Sequence, residues 1–197
     1  MTASSDLTIR QQRIVDALHP FFGAESGALY EANGRSLLKL TYFARQSSLP
    51  SFHRLATGLA LAQELLVEEL MSRSVFDSPS AVTDFLKLHF AGQPHESFAV
   101  MYLDAQNALI AFEELFRGTL TQTSVYPREV MRRCLHHEAA ALIISHNHPS
   151  GSVEPSRADE LLTKTLGTAL AMMDVRVVDH VIVAGGRSLS FAQRGLL

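Results

Sequence analysis

An α/β fold preceded by a small all-helical N-terminal region is what the sequence predicts, on three observations. Apolar residues recur at helical spacing through roughly the first seventy residues. After residue 95, short apolar strands alternate with helical segments. One of those strands, Ala141 to Ser145, leads straight into His146-Asn147-His148. A chain of 197 residues can hold one sizeable core, or a small helical unit beside one catalytic domain. The expected division is a helical region over 1–75 and an α/β domain over 76–197.

Taken in order, Leu7 to Leu18 carries Ile14, Val15 and Leu18 at helical spacing, and His19-Pro20 is expected to end that helix. Ser36 to Gln46 follows with Leu37, Leu38, Leu40 and Phe43. Phe52 to Ser72 puts Leu55, Leu59, Leu65, Leu66 and Leu70 on a broad apolar face, with Glu64, Glu68 and Glu69 elsewhere. Ser78 stands where it can cap a helix, and Pro79 suits the first position of one running to about His89. Ser97 to Leu103 and Ala108 to Phe116 read as a hairpin around the turn formers Asp104-Ala105-Gln106-Asn107. Pro127 opens a helix through about Ala139, and Ser156 starts another to about Met173. Val175 to Val183 is an apolar strand; Gly185-Gly186 turns the chain, and Ser188 to Phe191 pairs back.

Composition excludes less than the motifs do. The apolar fraction of 47% and charged fraction of 19% are ordinary for a folded domain. A formal net charge of -3 gives no global electrostatic reason to bind nucleic acid or an anionic membrane. The single cysteine, Cys134, cannot form an intrachain disulfide, which fits a reducing compartment. Met-Thr-Ala-Ser-Ser-Asp lacks the basic start and apolar stretch of a secretory signal, and no apolar run reaches membrane-spanning length. The expectation is a soluble, cytoplasmic protein.

Residues 146–159 read His-Asn-His-Pro-Ser-Gly-Ser-Val-Glu-Pro-Ser-Arg-Ala-Asp. Side chains two apart on an extended segment point the same way, so His146 and His148 share a face and can grip one ion. Pro149-Ser150-Gly151 is a turn that folds the chain back. Asp159 falls about one turn into the next helix, where its carboxylate can look toward the histidines. Two imidazoles and a carboxylate suit a catalytic zinc with its fourth position open for water, whereas a structural zinc favours thiolates. The bland alternative is a surface His pair followed by an N-cap, with Ser156 as the cap and Asp159 as an acidic third helical residue. The two readings are compatible, because a cap at Ser156 would aim Asp159.

This four-part spacing resembles the JAMM (MPN-plus) metalloprotease motif, and the flanking residues are similar to the RadC family within it. The matching pieces are Phe98 to Asp104 with Asn107, Gly118-Thr119-Leu120, Pro127-Arg128-Glu129, and His146 to Gly151. Pro155-Ser156, Asp159, Asp179-His180, Ser190-Phe191 and Gly195-Leu196-Leu197 complete them. The resemblance covers about residues 76–197. It implies a cytidine-deaminase-like JAB/MPN core, a mixed sheet flanked by helices, around a Zn2+ bound by His146, His148 and Asp159. It also implies a glutamate near the start of the first strand, and Glu96 stands there. In that scheme Glu96 takes a proton from the zinc-activated water, and Ser156 donates to the oxyanion formed as an amide, peptide or isopeptide bond is cleaved. The partner implied is a protein or peptide substrate.

Other features carry less chemistry. His136-His137-Glu138 lacks a second ligand four residues after His137, where Ala141 stands, and reads as the polar side of a helix. His180, alone in an apolar strand, reads as a hydrogen-bonded core residue; Arg128 reads equally as structural or substrate-facing. RadC-like proteins usually carry an upstream helix-hairpin-helix whose Gly-x-Gly turn meets DNA phosphate. The corresponding stretch here, Arg54-Leu55-Ala56-Thr57-Gly58, has one glycine instead of the pair, which weakens the physical basis for that contact. Two other readings therefore stand beside the hydrolase: a DNA-associated protein, whose binding would fall with salt, and a non-catalytic interaction domain. A zinc nucleobase deaminase is disfavoured because its paired cysteines are absent.

Overall fold

The computed structural model describes residues 7–118 and 125–197. The opening residues and the Thr119-Leu120 part of the family match lie outside the described residues. The chain divides into two compact units, Met1–Leu61 and Ala62–Leu197.

The first unit is helical. Its first helix, α1 (Ile9–Phe22), opens on a capping box in which Thr8 and Gln11 satisfy each other's backbone amides. It does not stop at His19-Pro20 as the sequence predicts. Pro20 lies in the last turn, where its missing amide forfeits a single bond, and burial of Leu18 and Phe22 outweighs that loss. Gly23 ends the helix instead, at φ 55°. After a 3-10 turn at Gly23–Glu25 comes a short helix that the spacing did not announce, α2 (Ser26–Ala32). Ser36 caps α3 (Leu37–Gln46), its hydroxyl accepting from the Lys39 amide. The next helix, α4 (Pro50–Ser72), runs unbroken through Arg54–Gly58, so there is no hairpin turn at Gly58. It supplies Phe52, Leu55 and Leu59 to the first unit's core, with Leu18, Phe22, Tyr30 and Leu40. Further along, Leu66, Val67 and Leu70 join the second unit's core, while Leu65 faces out at 69% exposure.

The second unit is a mixed five-stranded sheet between helices. After α5 (Pro79–His89), β1 (Ser97–Leu103) and β2 (Leu109–Arg117) form the expected hairpin. The turn between them is pinned by Asp104, whose carboxylate accepts from the amides of Gln106 and Ala108. Ser78 occupies the cap position of α5 but makes no capping bond; its hydroxyl is turned to Glu69, to which it donates at 2.7 Å. The order continues with α6 (Pro127–His136), β3 (Ala141–Asn147), α7 (Arg157–Ala171), β4 (Arg176–Ala184), β5 (Arg187–Ser190) and a short α8 (Phe191–Arg194). α6 ends sooner than the sequence suggests, at a C-terminus followed by Glu138 with φ 51°. The sheet order is β2-β1-β3-β4-β5, with β3 and β4 parallel and every other pair antiparallel.

Two-residue alternation sorts the core into two layers. Ala99, Met101, Leu103, Ala141 and Ile143 face α5 and Leu70. Phe98, Val100, Tyr102, Leu142 and Ile144 face α6 and α7, packing on Val130, Cys134, Leu166 and Leu170. The central strands are apolar on both faces because both are covered. Among the described residues, no helix is long and apolar enough to cross a membrane.

Candidate metal centre

β3 continues further than its apolar run suggests, to Asn147, so His146 is itself a strand residue. His146 follows Leu142 and Ile144 on the face toward α7, and His148, just past the strand end, shares that side. The His148 amide still donates to Val183 O at 2.8 Å, which prolongs the β3–β4 ladder. A turn closed by the Gly151 amide on His148 O then reverses the chain, with Gly151 at φ 87°. That turn returns the Ser152 carbonyl to 2.8 Å from His148 Nδ1.

The helix that follows supplies the carboxylate. Ser156 caps α7, its hydroxyl accepting from the Asp159 amide at 3.2 Å. Asp159 Oδ2 in return accepts from the Ser156 amide and hydroxyl, each at 2.7 Å. This is the reciprocal capping box that the spacing allows, and it holds Asp159 in one orientation. Asp159 Oδ1 lies 3.2 Å from His146 Nε2, and Oδ2 lies 3.7 Å from His148 Nε2. The two Nε2 atoms are 2.9 Å apart. The Ser156 amide and hydroxyl, both donating to Oδ2, favour the ionised form of the Asp159 carboxyl.

These distances allow a direct fit test. Three ligands of a tetrahedral zinc, at bonds of about 2.0–2.2 Å, sit about 3.3 Å from one another. The two Nε2 atoms are 2.9 Å apart, one Asp159 oxygen is 3.2 Å from His146 Nε2 and the other 3.7 Å from His148 Nε2, and one ligand atom from each residue lies within 4.8 Å of the others, close enough for one ion to draw them in. Among the described residues, His146, His148 and Asp159 are the group whose geometry could hold a metal ion. Two imidazoles and one carboxylate leave a fourth position for water or substrate.

Glu96 reaches the same end of the sheet from β1. Phe98 pairs with His146, and Glu96 lies two residues before Phe98, so its backbone stands at the end of the sheet where the histidines emerge. Its backbone is tightly held. Asn147, between the two histidines, accepts from the Ser97 amide at 2.7 Å and donates to His95 O at 2.9 Å. The Glu96 carbonyl itself accepts from the Gly118 amide at 2.8 Å. Asn147 thus grips the residues on both sides of Glu96, a role that the His-x-His pattern alone does not reveal.

His180 is more than a core residue. Its Nε2 lies 2.8 Å from His146 Nδ1, and its Nδ1 lies 2.6 Å from the Thr163 hydroxyl. The neighbouring Asp179 accepts from the His180 amide, the Ser190 hydroxyl and the Ala192 amide, so the two matched pairs Asp179-His180 and Ser190-Phe191 meet in space. The other candidates lie elsewhere. His137 is past the end of α6, half-buried, and bonded to Glu113, which Arg133 also clamps; it is not on the polar side of the helix. Arg128 is 82% exposed beside Glu129, with its guanidinium 5.8 Å from the Tyr126 ring centre.

A mixed sheet covered by helices, with two histidines and a carboxylate converging where a central strand ends, defines an α/β domain of the JAB/MPN type. Residues 76–196 match the family model described as RadC-like JAB domain, and the chain belongs to that family. A protein of Acidovorax sp. (strain JS42) is 66% identical over 139 residues, 71% of this chain and 58% of its own length. One of Paracidovorax citrulli (strain AAC00-1) is 52% identical over 182 residues, 92% of this chain and 74% of its own. Both are named UPF0758 protein. The chain spans about three fifths of the length of the first of these relatives.

Proposed function

We propose that this chain is a zinc-dependent hydrolase of the JAMM metallopeptidase type that cleaves a peptide or isopeptide bond in the cytoplasm. The observation that carries this is the convergence of His146 Nε2, His148 Nε2 and Asp159 on one point, with Glu96 directly before the strand whose Phe98 pairs with His146. Zinc bound there would lower the pKa of a water toward neutrality and polarise a carbonyl. Glu96 would take a proton from the attacking water and return it to the leaving amine, a role typically worth 10²–10⁴ in rate. The Asn147 clamp holds Glu96 in place for that transfer. Ser156 would donate to the carbonyl oxygen as it gains charge, exchanging its present bond to Asp159 Oδ2. The helical Arg54–Gly58 stretch lends no hairpin to the DNA-directed reading.

The test is a screen of zinc-loaded protein against peptide and isopeptide libraries, with Glu96→Gln alongside. Cleavage that Glu96→Gln reduces by at least about 100-fold supports the proposal. Equal cleavage by both proteins would defeat it.

A further inference from the structure

Two contacts at the buried end of the site fix where its protons lie, starting from a group that can only accept. The Asp159 carbonyl is 2.6 Å from Thr163 Oγ1, and a carbonyl has no hydrogen to give, so the Thr163 hydroxyl donates to it. That hydroxyl has a single hydrogen. Its 2.6 Å contact with His180 Nδ1 must therefore use a hydrogen on the imidazole. His180 is wholly buried and its two ring nitrogens meet the Thr163 hydroxyl and the His146 ring, so a second ring hydrogen would be a buried charge without a carboxylate bonded to it; Nε2 therefore bears a lone pair. The 2.8 Å contact with His146 Nδ1 then requires the hydrogen to sit on His146. Only Nε2 of His146 is left with a lone pair, and it points at His148 Nε2 and Asp159.

The same logic applies to His148, whose Nδ1 faces the Ser152 carbonyl and must donate to it. Two nitrogen lone pairs and a carboxylate then converge with no hydrogen among them, an arrangement that a cation relieves. The His180 ring has little freedom. It lies against the Phe191 ring with centroids 4.5 Å apart, and Asp179 anchors its backbone amide.

We infer that His180 and Thr163 are positioning residues that lock His146 in its Nδ1–H tautomer, presenting Nε2 to the metal through a relay from the Asp159 backbone. The relay ties one ligand strand to the helix carrying the third ligand, so ligand orientation and α7 placement are set together. This deepens the zinc reading and rests on it for its consequence, but not for its geometry. Neighbours that fix a ligating imidazole typically change metal affinity 10–100-fold when removed.

The experiment has two arms. In the first, long-range 1H–15N spectra of the metal-free protein at mildly alkaline pH report which ring nitrogen is protonated. Nδ1–H on both His146 and His180 is expected in the parent and in Thr163→Ser, with a mixed tautomer population in Thr163→Val. An Nε2–H form of His146 or His180 dominating in the parent overturns the relay, whatever the protein binds. In the second, chelator competition measures zinc affinity. Thr163→Val should bind 10–100-fold more weakly than the parent, and Thr163→Ser should recover most of the loss. Unchanged affinity in a folded Thr163→Val overturns the positioning role. Failure of the parent itself to bind zinc would count against the proposed function and leave the tautomer result standing on its own.

Discussion

Asn147→Ala removes the clamp on both sides of Glu96, and its consequences follow from the two bonds lost. Ser97 is fully buried, so its amide would be stranded without a partner at a cost of about 1–3 kcal/mol. His95 is only partly buried, so its carbonyl can turn to water and the loss there is about 0.5–1.5 kcal/mol. The sum is about 1.5–4.5 kcal/mol, and at roughly 3 °C per kcal/mol for a chain of this size Tm should fall by about 5–14 °C. Asn147→Asp keeps an acceptor for the Ser97 amide but loses the donor to His95 O and faces that carbonyl with negative charge, so it should not rescue fully. Circular-dichroism melts of the metal-free proteins give the stability, and amide exchange locates it. Exchange should speed up at Ser97 more than at Ile182, deep in β4. A melt within about 2 °C of the parent, or exchange that rises evenly across the sheet, would refute the clamp.

Three further outcomes are expected. The Glu114 carboxyl is held at about 2, chiefly by His89 with help from Ser97 and Gln93, against burial that raises it. The unfolded chain returns it to about 4.5, so the stability it gives is complete above about pH 5 and is lost as pH falls toward 2. Glu114→Gln should remove that part of the acid limb, on the order of 2 kcal/mol after solvent screening, in urea melts from neutral to acid pH; an unaltered acid limb would contradict it. Ser156→Ala breaks the capping box and should lower the metal-free Tm by about 2–4 °C, corresponding to about 1 kcal/mol, while Ser156→Thr recovers most of it. Equal melts for Ser156→Ala and parent would show that the box does not hold α7. Glu96→Gln should keep its zinc in metal analysis, since the candidate ligand group is His146, His148 and Asp159; loss of the metal would place Glu96 in the ligand set.

The parts of this fold visible in the sequence are those governed by local rules. The hairpin at Asp104–Asn107, the Pro127 and Ser156 helix starts, and the strand pair around Gly185-Gly186 all follow from turn chemistry, capping and alternation. The His146, His148 and Asp159 spacing was legible because period two and a helix start fix directions without tertiary knowledge. Misreadings arose where burial overrode a local signal. Pro20 did not end α1, because Phe22 is needed in the core. Ser78 has the right identity for a cap, yet Glu69, nine residues away, takes its hydroxyl. The partners of Asn147, Thr163 and His180 were not legible for a different reason. They are 50, 17 and 34 residues distant, and no periodicity links residues on β1, α7 and β4.

Zinc content is the most direct measure of the central claim. Protein purified without chelator should carry close to one zinc per chain. His148→Ala, which deletes one imidazole and leaves His146, Asp159 and the Asn147 clamp in place, should carry almost none after the same handling. Zinc absent from the parent, or retained equally by His148→Ala, would contradict the assignment of His146, His148 and Asp159 as a metal centre.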